Sequence, residues 1–375
     1  MIEVKEVTTK KMQKDFLNLP LKMYKGNPYF VPTLYSDEKN IFSPKKNVYF
    51  DDCDIVFFNA YKDGDIVGRI GGIIHRAYNE KVSQKRVRFT RFDCIDDVEV
   101  ARALFTAVES WAIEKGMEIA HGPLGFSDLE REGLLIEGFD ELSTFEEQYN
   151  YDYYAKLIEA CGYAKEVDWV EYQIEIPDKP LTRIANISDK VLNRYNLKVA
   201  DIKSKKQVIE TYADKILDLI DEAYGDLYGT VPFTPKMRAQ LISQFKLLLN
   251  KELIVVVLDE EEEVVAFGLC LPSLSKAVQK SNGHLSPACL LKLLKAVKNP
   301  KMIDLALIGV KKDHQNRGIN GVVLNMMINN AVKLGATIAE TNLNLEENEK
   351  VQSQWEFFKH RMHKRRRAYV KDLTK

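Results

Sequence analysis

Residues 311 to 321 read KKDHQNRGING, a run too polar for a core yet bounded on both sides by apolar sequence. Apolar residues from Met302 to Val310 read as a buried strand. Ile319 to Leu334 keeps its apolar residues at helical spacing and stops at Gly335. The polar run therefore curls over a helix start, where unpartnered N–H groups and a partial positive charge can hold a phosphate or diphosphate. Gly318 and Gly321 let the main chain approach an anion that a Cβ would hold away. Gln315, Asn316, Arg317, Ile319 and Asn320 complete the candidate cradle. Each charge-assisted amide contact is worth roughly 1.5 to 3 kcal/mol, so four or five could anchor a nucleotide. Neither the dinucleotide fingerprint G-x-G-x-x-G nor the P-loop G-x-x-x-x-G-K-[ST] is present.

A second set lies in the next strand, Thr337 to Leu345, where Ile338, Glu340, Asn342 and Asn344 alternate with Ala339, Thr341, Leu343 and Leu345. A polar face on a central strand looks into a cavity or onto partners. Glu340 is the candidate base, directly or through water, with Asn342 and Asn344 orienting a substrate. One solvated strand side would explain the same pattern.

These residues need a frame, and the order of elements supplies one. The first half reads as strand Ile2–Val7, helix Lys11–Tyr24, an irregular proline-bearing stretch from Gly26 to Tyr49, and a hairpin turning at Asp63-Gly64. Strand Arg86–Ile95, helix Asp96–Lys115, strand Met117–Leu124, helix Tyr149–Ala160 and strand Val167–Ile176 follow. The second half repeats that order. Its elements are strand Leu197–Ile202, helices Val208–Tyr224 and Pro235–Leu249, and a hairpin through Asp259 to Glu263. An additional helix Ser286–Val297 precedes the strand, polar run and helix. Strand Thr337–Leu345, a helix from about Asn348 to Met362 and strand Arg367–Leu373 close the chain. An internal duplication of one mixed α/β unit is expected, with domains at 1–177 and 197–375 and a linker at 178–196. In the first half the equivalent strand-to-helix junction reads FDCIDDVEVARALF, without glycine. Asp96 and Asp97 stand where phosphates would sit and would repel them. Only the second unit is expected to take an anionic cofactor.

The polar run resembles the acyl-CoA loop of the GNAT N-acyltransferases. That loop is an apolar strand ending in Val, five residues, then Q/R-x-x-G-x-G/A. Here Val310 is followed by Lys311 to Gln315 and by Gln315-x-x-Gly318-x-Asn320. Asn320 departs from the family's Gly or Ala, but Asn tolerates unusual backbone angles best after Gly. The resemblance implies a tandem GNAT fold, each unit a twisted mixed sheet flanked by helices. It also implies an acyl-CoA co-substrate, acetyl-CoA or a longer chain, lying along Ile308 and Val310. The Val310 N–H would polarise the acyl carbonyl, and Asn348 would contact the pantetheine arm. The family's thiolate acid, a Tyr seven residues after that Asn, is Trp355 here. Tyr369 is the candidate substitute. The activity implied is N-acyl transfer to an amine by direct transfer in a ternary complex. Two alternatives are a non-catalytic CoA-binding relative and a tandem transferase using aminoacyl-tRNA.

A chain of 375 residues exceeds one core. Its 54 basic and 55 acidic residues give a net charge of −1, so nothing global draws it to nucleic acid or an anionic membrane, and neither is expected as a partner. The 5 cysteines include no C-x-x-C, against zinc and disulfides. No apolar leader or membrane helix is visible, so a cytoplasmic protein acting on a small or amine-bearing acceptor is expected. Residues 121 to 140 read as a lid with apolar anchors that selects a cationic acceptor, and Tyr149, Tyr151, Tyr153 and Tyr154 follow it. His360 to Arg367 forms a basic cluster read as a solvated turn.

Overall fold

The computed structural model describes residues 1–179 and 181–375. They form two compact units, Met1–Val170 with Ser275–Cys289 and His363–Lys375, and Glu171–Leu274 with Leu290–Met362. The first unit carries β1 (Ile2–Glu6), β2 (Cys53–Lys62), β3 (Asp65–His75), β4 (Arg86–Cys94), β5 (Ile119–Gly122) and β6 (Leu134–Glu137). The chain crosses to the second unit within β7 (Ala164–Glu175). It continues through β8 (Lys198–Val199), β9 (Ile254–Leu258), β10 (Val264–Pro272), β11 (Met302–Val310), β12 (Ile338–Thr341) and β13 (Asn344–Leu345), and returns within β14 (His360–Asp372).

The first unit's sheet runs β1-β2-β3-β4-β5-β14, antiparallel except for β4 beside β5. The second runs β8-β9-β10-β11-β12-β7, antiparallel except for β11 beside β12. The order is the same in both, as the duplicated element pattern led one to expect. The last strand of each is exchanged: Tyr369 near the C-terminus pairs with Gly122, and Ile174 of the first half pairs with Ala339. Alternation marks a segment as a strand but does not say which edge it joins. The stretch 178–196, expected as a linker, carries helix Thr182–Arg194, whose Ile184, Val191 and Leu192 pack on the second unit's core.

Ile319–Leu334, the loop helix, buries Val323, Met327 and Ala331 against the second sheet. A Cβ at Gly268 of β10 would stand 2.3 Å from Met327 Sδ and 2.4 Å from Val323 Cγ1, so glycine there brings the helix down onto the strand. The opposite sheet face packs Val256 and Phe267 with Leu217 and Ile220 of helix Ala213–Tyr224. In the first unit, helix Val98–Glu114 packs Leu104, Phe105 and Val108 with Ile70, Val87 and Phe89.

Three expectations are corrected. The helix from Asn348 to Met362 is only a turn, Glu349–Gln352, and a 3-10 segment, Ser353–Phe357, because the chain is already extended at His360. The basic cluster is not a solvated turn but strand β14, with Lys364 and Arg366 almost wholly buried. There Arg367 holds Asp168 through bonds of 2.7 and 2.9 Å, and Arg365 meets Glu137 at 3.1 Å. Nor do residues 121–140 form an open lid. Phe126, Leu134 and Leu135 are core, and β6 pairs with β14.

Candidate functional site

Strands β11 and β12 pair only from Met302–Ile338 to Leu305–Thr341, while β11 runs on to Val310. At the point of parting β11 carries a bulge, since Leu269 faces Leu307 and Cys270 faces Leu305, leaving Ala306 as the additional residue. A bulge bends and twists its strand, and here it turns β11 away from its parallel neighbour. Beyond it, the main-chain groups of Leu307 and Gly309 serve β10, and those of Ile308 and Val310 face the opening.

What fills that edge is a side chain. Tyr224, at the C-terminal end of helix Ala213–Tyr224, donates its hydroxyl to Ile308 O at 2.8 Å and accepts from Ile308 N at 3.1 Å. A phenol thus makes both bonds that a neighbouring strand would make. The Val310 carbonyl accepts from Gln315 Nε2 at 3.3 Å. The Val310 N–H meets no acceptor among the described residues.

The polar run then makes a 3-10 turn, Lys312–His314, and two left-handed residues, Asn316 at φ 61° and Gly318 at φ 79°. Its conformation is held from outside. Glu222 accepts the Lys312 N–H at 2.7 Å, Asp226 pairs with Lys312 Nζ at 2.9 Å, and Arg317 donates to Asp313 O at 2.7 Å while lying over the Tyr195 ring. Gly318 caps the loop helix with no side-chain acceptor. Among the described residues, the N–H groups of Asn316, Arg317, Gly318, Ile319 and Asn320 meet no acceptor. A Cβ built on Gly321 would meet nothing within 4 Å. Five unsatisfied amides in a row, at a helix start with open space in front, suit an anion with several oxygens, as a diphosphate has.

Glu340 is 3% exposed and accepts from Gln173 Nε2 at 3.1 Å. Its neighbour Ala339 belongs to the core beneath the loop helix, so alternation turns Glu340 to the other sheet face. Asp304 of β11 is in register with it and is also buried, which places two carboxylates side by side. Asn344 is bound on both ends of its amide. Its Nδ2 reaches Thr341 Oγ1 at 2.9 Å and Asn342 O at 2.7 Å, and its Oδ1 accepts from Trp355 Nε1 at 3.3 Å. That bond also accounts for Trp355, 3% exposed, at the position where the resemblance had placed a Tyr. Asn342 Nδ2 reaches Ala306 O at 3.5 Å, across the parting strands. Asn348 caps the short helix by accepting from Val351 N at 3.3 Å, leaving its amide nitrogen for other use.

Thus Ile308, Val310, Gln315 to Gly321, Glu340, Asn344 and Asn348 all lie in the second unit. Tyr369 lies in the first, fully buried beside Gly122, and burial pushes its phenol up to about 12. Tyr149 and Tyr154 are likewise buried in the first unit's core. His121 is buried against the Tyr78 ring and meets Arg86 at 3.1 Å. Burial, opposed by Glu166, pushes its imidazole down to about 4. Sequence reasoning missed Tyr224, Glu222 and Asp304. A single Asp inside the otherwise apolar MIDLALIGV was the one visible signal; nothing marked Tyr224 among 17 tyrosines. Among the described residues no group of three or more His, Cys, Asp or Glu could hold a metal.

No family model matches the chain. It is 27% identical over 318 residues to protein YghO of Escherichia coli (strain K12), covering 84% of this chain and 80% of that protein. It is equally 27% identical over 318 residues to the bacterial ceramide synthase of Caulobacter vibrioides (strain NA1000 / CB15N), covering 84% and 82%. Among solved structures, a tandem GNAT protein from the clavulanic acid biosynthesis pathway superposes with a TM-score of 0.56 at 10% identity, over 100% of this chain and 99% of the other. A GCN5-related N-acetyltransferase from Sphaerobacter thermophilus gives 0.55 at 9% identity, over 99% and 96%. The chain has the tandem GNAT fold.

Proposed function

We propose that the second unit binds an acyl-CoA and passes its acyl group to a primary amine. The observation that carries this reading is the run of five amides at 316–320 that meet no acceptor among the described residues, following a strand edge whose Val310 N–H is likewise unmet and whose Ile308 groups are held by one phenol instead of a neighbouring strand. Together they offer a diphosphate cradle and, beside it, a strand edge on which an amide-bearing arm can pair at Val310, and at Ile308 once the Tyr224 hydroxyl gives way. The name of one relative agrees: a ceramide is an amide of a long-chain amino alcohol and a fatty acid, so its synthesis is N-acylation of an amine. A long-chain amine is accordingly the acceptor class to try first, with a fatty acyl-CoA as donor.

Each step falls to a named group. The Val310 N–H would donate to the acyl oxygen as negative charge gathers on it, a preorganised donor of the kind worth about 2.7 to 4 kcal/mol elsewhere. Glu340, beside Asp304, would take the amine's proton through water. The amine nitrogen forms its bond to the acyl carbon as the carbon–sulfur bond breaks. The leaving thiolate then needs a proton, and Trp355 has none to give. We assign that step to Tyr224, whose hydroxyl already lies on the edge where the thioester would be laid. The proton removed from the amine balances the one delivered to sulfur. Tyr369 and Asn344 take no part in this scheme: the first is core of the other unit, and the second has its amide spent on Thr341, Asn342 and Trp355.

The aminoacyl-tRNA alternative rested on the basic cluster, whose Lys364, Arg366 and Arg367 are spent inside the first unit. The test is calorimetry with CoA and palmitoyl-CoA, followed by thiol release with a long-chain amino alcohol. Binding with turnover is the expected result. Binding without turnover leaves a CoA-binding protein, and no binding overturns the reading.

A further inference from the structure

The near-zero net charge of the whole chain conceals a local imbalance. From Val264 to Ile303 there are six lysines and no Asp or Glu. Within this stretch lies helix Pro287–Lys298, the second of two helices between β10 and β11, where the first unit has one, Arg76–Val82, between β3 and β4. Its inner side is narrow. Leu293 and Val297, four residues apart, are 3% and 7% exposed, and Asn250 Nδ2 fastens the helix by donating to Val297 O at 2.9 Å. Its outer side does what a solvated face does not. Leu291 is 70% exposed, Leu294 44% and Leu290 39%. At 100° per residue these three span one arc of roughly 100°, with Lys298 within it, Lys295 about 40° beyond Leu291 and Lys292 about 100° beyond Leu291. Lys292, Lys295, Lys298 and, just past the helix, Lys301 are exposed, and none takes part in an ion pair among the described residues.

We propose that this face, Leu290 to Lys301, is a docking surface for an anionic lipid bilayer. Leucines on the outer arc would enter the boundary between headgroups and acyl chains, while the lysines around them meet lipid phosphates. Length fits lying on a membrane rather than crossing it, since 12 residues of helix span about 18 Å against a hydrocarbon core of about 30 Å. No helix among the described residues is long and apolar enough to cross a membrane. A second copy of the chain would be a poor occupant, because two copies of a lysine-bearing face without acids repel. The surface goes beyond the acyl-transfer reading and does not depend on it.

Flotation of the full-length protein with vesicles, in the absence of acyl-CoA, tests the proposal. Vesicles of phosphatidylcholine with about one third phosphatidylglycerol should carry the protein at 0.1 M NaCl, and pure phosphatidylcholine should carry much less. Lysine contacts weaken with screening, so 0.5 M NaCl should release most of it. The double substitution Leu291→Glu with Leu294→Glu alters only exposed side chains, and thermal melting will check its fold. It should cut the vesicle-bound fraction at least tenfold. Each of Lys292→Ala, Lys295→Ala and Lys298→Ala should weaken anionic binding roughly fivefold. The proposal is overturned if the wild type does not float, or if the leucine variant floats as well as the wild type. It is equally overturned if sedimentation shows that the leucines hold two copies together and lipid makes no difference.

Discussion

The two units carry the same junction, a strand that leaves its parallel neighbour and turns into a helix, and the two junctions are finished in opposite ways. In the first unit β4 pairs with β5 only from Arg86 to Arg88 and runs on to Cys94, as β11 runs past β12. There the opening is closed from within. Tyr153 donates to Cys94 O at 2.8 Å, Tyr154 accepts from Cys94 N at 3.3 Å and donates to Asp93 Oδ1 at 3.1 Å, and Tyr24 joins them at 2.8 Å. The helix start is closed as well, because Asp97 caps it by accepting from Glu99 N at 3.0 Å and pairs with Lys62 at 3.0 Å. In the second unit the helix start is a bare glycine, and the edge is met by a single phenol from a helix end. One junction is thus filled and capped in one copy and left with an uncapped helix start in the other. The difference lies in a capping carboxylate and three tyrosines rather than in topology.

The largest effect should come from closing the second junction as the first is closed. Gly318→Asp puts a carboxylate at the cap position and forces a side chain into φ 79°; CoA affinity by calorimetry should fall at least 100-fold, from repulsion of the phosphates together with loss of amides to the new cap. Unchanged affinity would dismiss the contrast between the junctions as a basis for function.

Tyr224→Phe keeps the ring and removes the hydroxyl. If Tyr224 delivers the thiolate proton, kcat should fall about 100-fold or more, in the range of general acid catalysis, with KM for acyl-CoA changed little. A lower KM with kcat intact would make the phenol a plug like those of the first unit.

His121 offers a test of how firmly the first unit is sealed. Its imidazole is held near 4 in the fold against about 6.5 in the unfolded chain, so the unfolded state binds the proton first. The stability that His121 contributes is therefore complete above pH 6.5 and declines as pH falls toward 4. The decline is at most on the order of 3 kcal/mol. Buried carboxyls such as Glu132, pushed up chiefly by burial, act in the opposite direction. The measurement is accordingly the difference in denaturant midpoint between wild type and His121→Asn across pH 4 to 7. A difference that does not vary with pH would refute the linkage.

The smallest effect is expected at Asp97→Ala. Loss of the cap should cost about 1 kcal/mol of stability, read by chemical denaturation, and should leave CoA affinity as it was. New CoA affinity in the first unit would mean that the carboxylate alone had kept it out.

Much of this was legible in residue order. The strand, polar loop and helix of the GNAT-like stretch, the duplicated element pattern, the capping of the first unit's helix by Asp97 and the free helix start after Gly318 all follow from local rules: spacing, caps, and residues that tolerate positive φ. These depend on neighbours within one or two turns, and sequence displays such neighbours directly. Three things were hidden because they depend on residues far apart in the chain. One was the exchange of the last strands, invisible because alternation carries no record of the partner edge. Another was the conversion of a basic run into buried pairs with Asp168 and Glu137, which reads as a solvated turn until its partners are known. The last was Tyr224 on Ile308, two residues 84 positions apart that meet only once helix and sheet have packed. Which atoms the loop can offer to a ligand is a local matter. Which groups stand across from it is decided by tertiary packing, because a side chain can work on a distant peptide only after the fold has brought the two within a hydrogen bond.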